Sequence, residues 1–135
     1  QDGQTTQTAV EYTVMPPTPV LRALRISPHA FDAALHGPTL SPAGQPAAMI
    51  SYRDTLPATT TFRVLRCTGR HGRCTELTAV GVFTHRDRAG VNRVRFSGRL
   101  HGNALNAGRY VLQLTSTLAG QTSAPVTTTF VIRAL

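Results

Sequence analysis

"RYVLQLTST" (Arg109–Thr117) alternates without a break: Tyr110, Leu112 and Leu114 fall on one parity, Arg109, Gln113 and Thr115 on the other. A period of two over nine residues marks a β-strand with one face in a core and one toward water. Ten residues on, "TTTFVIRA" (Thr127–Ala134) does the same, with Phe130 and Ile132 against Thr127 and Thr129. Upstream, "VNRVRF" (Val91–Phe96) sets Val94 and Phe96 against Arg93 and Arg95. Four earlier runs complete a set of seven: "VLRALRI" (20–26), "AAMISYR" (47–53), "TTFRVLRC" (60–67) and "TELTAVGVF" (75–83). Turn residues separate them, and helical periodicity is missing. The one stretch with a helical look, "SPHAFDAAL" (27–35), reads as an irregular crossing. Seven short strands so spaced predict an all-β, antiparallel two-sheet sandwich. Ile50 and Tyr52 should face Phe62 and Val64 across its core, with Val94, Phe96, Tyr110, Leu112, Leu114, Phe130 and Ile132 filling the other layers. Arg63, Arg93, Arg95, Gln113, Thr127 and Thr129 should face water.

A chain of 135 residues is long enough for one such domain. Charged residues make up only 15% while Thr, Ser, Gly, Ala and Pro are plentiful, which favours short strands over long helices. No apolar run approaches the ~20 residues of a membrane helix, so no span is expected. The formal net charge of +8 comes entirely from arginine, because the chain holds no lysine. Such a balance suits acidic glycans or other polyanions. The densest arginine groups, Arg66, Arg70 and Arg73 around the cysteines and Arg93 and Arg95 in "RVRFSGR", are the candidate anion patch. Specific nucleic-acid binding is not expected: there is no Trp, and most aromatics are claimed by the core, leaving no stacking platform.

From about residue 47 onward the chain resembles the immunoglobulin-like domains of secreted actinobacterial proteins. The residues that carry the likeness are "NRVRFSGRLHGNALNAGRYVLQLTSTLAGQTSAPVTTTFVI" (92–132). In "LNAGRY", Leu105, Gly108 and Tyr110 sit at the offsets of a tyrosine corner, in which the Tyr110 hydroxyl bonds back to upstream backbone. "LAGQTS" is similar to the turn that follows, and "TTTFVI" to a closing strand. The resemblance implies an immunoglobulin-like fold of about seven strands and no common active site.

The only two cysteines bracket "RCTGRHGRC" (Arg66–Cys74). Zinc needs three or four ligands, and only His71 stands by. The spacing exceeds that of a C-x-x-C redox motif, and His71 on a loop is a poor base for a catalytic thiol. A hairpin that opposes Cys67 and Cys74 brings their sulfurs within bonding reach, so a disulfide is expected, and with it an oxidising compartment. His29, His36, His71, His85 and His101 read as solvated loop residues without metal spacing. Asp2, Glu11, Asp32, Asp54, Glu76 and Asp87 are too scattered for a calcium cage or a glycosidase pair. No nucleophile elbow or phosphate-binding loop occurs. No catalytic residue, metal or cofactor is expected.

Residues 1–19 read as a tail ahead of a domain at 20–135. The tail holds an alternating candidate donor strand (9–15), with Val10, Tyr12 and Val14 on one parity, and then "MPPTP", whose three prolines stiffen the chain. Either this is an ordinary first strand kinked between sheets, or it adds to the sheet edge of a neighbouring copy. Such addition would be head-to-tail and would build filaments. The chain opens at Gln1, which reads as either a processed export product or an excised fragment. The expectation is a secreted or cell-surface, non-enzymatic structural or adhesive protein that partners copies of itself. The alternative is a polyanion-binding module.

Overall fold

The computed structural model of the chain describes residues 16–71 and 73–134. Along them lie strands β1 (Leu21–Ser27), β2 (Ala30–Phe31), β3 (Ala48–Asp54), β4 (Thr59–Thr68), β5 (Glu76–Arg86) and β6 (Gly90–Phe96). After these come β7 (Arg99–Leu100), β8 (Asn103–Ala104), β9 (Gly108–Leu118), β10 (Gln121–Thr122) and β11 (Val126–Ile132). The seven strands of seven or more residues fall on the seven alternating runs, and the described residues contain no helix. The candidate donor strand, with Val10, Tyr12 and Val14, lies outside the described residues.

β1, β3 and β6 form one antiparallel sheet in the order β1-β3-β6. The second sheet runs β2-β11-β9-β4-β5, with β10 folded back on β9, and β7 and β8 make a small hairpin. Aromatic rings join the two larger sheets. Tyr52 of β3 meets Phe62 of β4 edge-on at 5.6 Å, and Phe96 of β6 stacks on Phe83 of β5 at 5.3 Å. Phe96 also meets Phe130 of β11 edge-on at 5.6 Å. Ile50, Val64, Val94, Tyr110, Leu112, Leu114 and Ile132 are buried around these rings. Each such side chain contributes about 1.5–3 kcal/mol on leaving water, so this interior carries the fold.

Two places depart from simple alternation. In β1 the register passes from Arg22↔Arg53 to Arg25↔Ser51, so β1 carries one residue more than β3 between those pairs. Ala23 takes up the bulge with φ 56°. Leu21 and Ile26 stand five apart, and an unbroken strand would aim them at opposite faces. The bulge restores parity, and both are buried. The second departure is the crossing after β1. Pro28 brings no backbone donor, the chain leaves the first sheet, and Ala30–Phe31 pairs in parallel with Val131–Ile132. Phe31 is a core residue, stacked on Phe130 at 5.8 Å. The stretch read as an irregular crossing therefore supplies an edge strand, and the first described strand is followed by a passage between sheets here. Pro19, the last of the "MPPTP" prolines, is buried against the body, and Val20 N donates to Thr55 Oγ1 at 2.9 Å.

Candidate anion-binding interface

The outer face of the three-stranded sheet follows from its register. Leu21, Ile26, Ile50, Tyr52, Asn92, Val94 and Phe96 point inward and are buried. Arg22, Arg25, Met49, Ser51, Arg53, Val91, Arg93 and Arg95 take the alternate positions, toward solvent. Three rows cross the sheet: Arg22–Arg53–Val91, Arg25–Ser51–Arg93 and Ser27–Met49–Arg95. Five arginines thus share one face. Rows repeat every two residues, ~6.6 Å, and the outer strands stand about 10 Å apart, so the guanidinium groups cover roughly 10 by 13 Å.

No carboxylate of the described residues is paired with them. Among the described residues the arginine–carboxylate ion pair is Arg133 Nε to Asp32 at 3.1 Å, on the other sheet's side. Arg22, Arg25, Arg53 and Arg93 are exposed. Arg95 is half-buried: its Nη2 donates to the Gln45 carbonyl, and its Nε is buried without a partner. The 39–45 segment that holds it also covers the end of β6, where Ser41 N donates to Arg95 O at 2.8 Å.

The structure divides the arginines that were expected to act together. Arg93 and Arg95 lie on this face, whereas Arg66, Arg70 and Arg73 belong to the end of β4 and the loop after it, in the six-stranded sheet. Arg66 is engaged there: Nη2 donates to Ala107 O at 3.0 Å and Nη1 to the Tyr110 hydroxyl at 3.4 Å. Arg70 and Arg73 line an open depression of about 580 Å³ with His71 and Glu76. Sequence reading missed Arg22, Arg25 and Arg53, which lie up to 73 positions from Arg95 (95 − 22) and meet only through strand pairing. The alternation of β3 and β6 already aimed three of the five outward. Placing Arg22 and Arg25 required the bulge.

The other expected residues are placed as follows. Cys67 and Cys74 form a disulfide, with Cα atoms 5.2 Å apart. They are not opposed in the ladder: Cys67 pairs with Leu77, and Cys74 lies in the loop before β5. Gly69 makes that loop possible, because a Cβ there would sit 2.1 Å from Arg73 O. Tyr110 Oη donates to Asn106 O at 2.6 Å, Leu105 is buried, and Gly108 lies against the Arg66 guanidinium.

Acids read as scattered meet at one end of the molecule. Asp54 closes β3, Asp87 follows β5, and both are buried. Asp87 accepts from the Tyr52 hydroxyl and the Thr60 hydroxyl, each at 2.5 Å, and lies 2.9 Å from His85 Nδ1. Asp54 accepts from the Ser116 hydroxyl at 2.6 Å and from Leu56 N at 3.2 Å. Burial, and after it hydrogen bonding with the Asp87 carboxyl, pushes the Asp54 carboxyl above the usual carboxylate range. His85, expected in a solvated loop, is a strand residue of this network. The relative exposures of 1% for Asp54 and 8% for Asp87 leave almost none of either carboxyl open to a substrate. The pair is built as an internal clasp between layers.

Among the described residues no group of three or more His, Cys, Asp or Glu stands ready for a metal, and no helix is long and apolar enough to cross a membrane. No protein-family model, curated protein or solved structure matches this chain.

Proposed function

We propose that this chain is an extracellular, non-enzymatic, immunoglobulin-like β-sandwich that binds an acidic glycan or other linear polyanion on the arginine face of its three-stranded sheet. The single observation that carries the reading is the convergence of Arg22, Arg25, Arg53, Arg93 and Arg95 on one face without a carboxylate of the described residues paired to them. Like charges held directly opposite one another on a sheet are unfavourable, so an anion laid across them relieves a repulsion that the fold maintains. The described residues place no aromatic side chain on this face, which suits a charged polymer recognised by its repeat rather than a base or sugar ring stacked in a pocket. The order β2-β11-β9-β4-β5 against β1-β3-β6 supports the immunoglobulin-like description, as does the bond from Tyr110 to Asn106. The disulfide supports an oxidising, extracellular setting and an adhesive role at a surface.

The test is binding of heparin, as a sulfated glycan, and of polyphosphate across a range of salt concentrations. The triple variant Arg25→Ser, Arg53→Ser, Arg93→Ser should weaken binding about tenfold or more and flatten its salt dependence. The double variant Arg70→Ser, Arg73→Ser should bind as the parent does. Equal losses in the two variants would replace a defined face with a diffuse charge effect. Absence of binding to both polymers at low salt would end the proposal.

A further inference from the structure

β5 is eleven residues long and, among the described residues, is paired on one side only, to β4, so that it ends the described sheet. Between Glu76 and His85 it reads "LTAVGVFT" (77–84), eight residues without charge or proline. Leu77, Val80 and Val82 are 51%, 39% and 48% exposed, and they are half of the six large apolar side chains exposed among the described residues. Sheets ordinarily guard an edge with Lys, Pro, inward charge or a covering loop. Here, among the described residues, β5 carries a bulge at Val80, where the register passes from Val64↔Gly81 to Leu65↔Ala79.

We infer that the free edge of β5 accepts residues 9–14, "AVEYTV", from a second copy of this chain. The segment has the required form: six residues, with Val10, Tyr12 and Val14 on one parity to cover an apolar edge and main-chain groups to extend the ladder. Chain length decides between a copy's own edge and its neighbour's. Thr18 is tied at the far side of the sheet, its hydroxyl donating to Gln121 of β10 at 3.3 Å. From there Thr122, Thr117, Thr59 and Arg86 form one row across β10, β9, β4 and β5. A strand added outside β5 lies a fourth step along, ~19 Å from β10 at ~4.8 Å per step. Residues 14 to 18 fully extended reach only ~14 Å, and the intervening prolines cannot loop. This shortfall favours the edge of another copy over a copy's own. Donor and acceptor surfaces differ, the contact does not close on itself, and the product is an open head-to-tail chain.

The experiment uses full-length protein in three forms: the parent, a donor-blocked variant (Tyr12→Asp, Val14→Asp) and an acceptor-blocked variant (Leu77→Arg, Val82→Arg). Each is followed by light scattering behind a sizing column and by electron microscopy, at low and high salt. The parent should form concentration-dependent chains at both salts, which separates this contact from the arginine face. Each variant alone should be monomeric, and their mixture should stop at one-to-one pairs, because one working donor and one working acceptor remain. Hydrogen exchange gives a second readout that does not depend on the arginine substitutions: β5 amides should gain protection with concentration in the parent and not in the donor-blocked form. A parent that stays monomeric without such protection overturns the inference. So does association that survives donor blocking, which would mean that β5 pairs with β5 of another copy. Protection independent of concentration would place the segment on its own edge and overturn it equally.

Discussion

Arg22 and Arg53 stand directly opposite one another in the β1–β3 register, both exposed, with no carboxylate of the described residues beside them. Directly opposed like charges destabilise a sheet by up to about 1 kcal/mol. Arg53→Ser should therefore raise the melting temperature at low salt, and high salt should erase the gain. Thermal unfolding of parent and variant at two salt concentrations checks this. The same substitution should weaken heparin binding, so stability and binding move in opposite directions.

Asp54 titrates in a way that fixes the sign of a pH effect. Its carboxyl is raised above its usual value by burial and by Asp87. The folded state then holds a proton that the unfolded state releases. The stability tied to that proton is fully present below the ordinary carboxylate pKa and is lost as pH rises through the raised value. Asp54→Asn keeps an acceptor for Leu56 N and offers an amide donor to Asp87, so it should remove this descent. Denaturant unfolding from mildly acidic to neutral pH should show a flatter profile in the variant, with its advantage largest at neutral pH.

Asp87 is the acceptor for two buried hydroxyls. Asp87→Ala leaves the Thr60 hydroxyl unpaired and the Tyr52 hydroxyl with His85 Nδ1 alone, at 3.2 Å, so a loss of about 1–3 kcal/mol is expected. Tyr52→Phe removes a donor and strands less, and should cost about 1 kcal/mol. Urea midpoints of the two variants check the order.

The disulfide closes a loop of eight residues (67 through 74), worth about 2.5 kcal/mol through the unfolded chain. Cys67→Ser with Cys74→Ser should lower stability by that amount and leave heparin binding within twofold, since the loop lies away from the arginine face. A larger drop in binding would implicate Arg70 and Arg73.

The seven long strands were legible because each buries one parity, and the pattern from Arg109 to Thr117 needs no partner to be read. What escaped was set by pairing between distant segments. Phe31 looked like part of an irregular crossing because two residues of strand are too few to show a period; its partner β11 lies a hundred positions away. Asp54 and Asp87 carry no motif and meet only because β3 and β5 end at the same level. The cysteines were legible as a disulfide but not in their geometry, because Cys74 lies before β5 rather than in its ladder. Arg22 and Arg25 were hidden by one extra residue in β1, which alternation alone cannot locate.

That extra residue has a consequence for inheritance. Each of the four exposed arginines of the outer face, Arg22, Arg25, Arg53 and Arg93, can be exchanged singly with little harm to folding, so the face is free to drift toward a new ligand. Deleting Ala23 would only remove the bulge, since Leu21 and Ile26 would then stand four apart and both still face inward, whereas losing a second residue would aim them at opposite faces. Lineages of this protein should accumulate substitutions across β1 and tolerate the loss of one residue from it but not of two, a contrast that single and double deletion scanning of residues 21–27 would expose in one library.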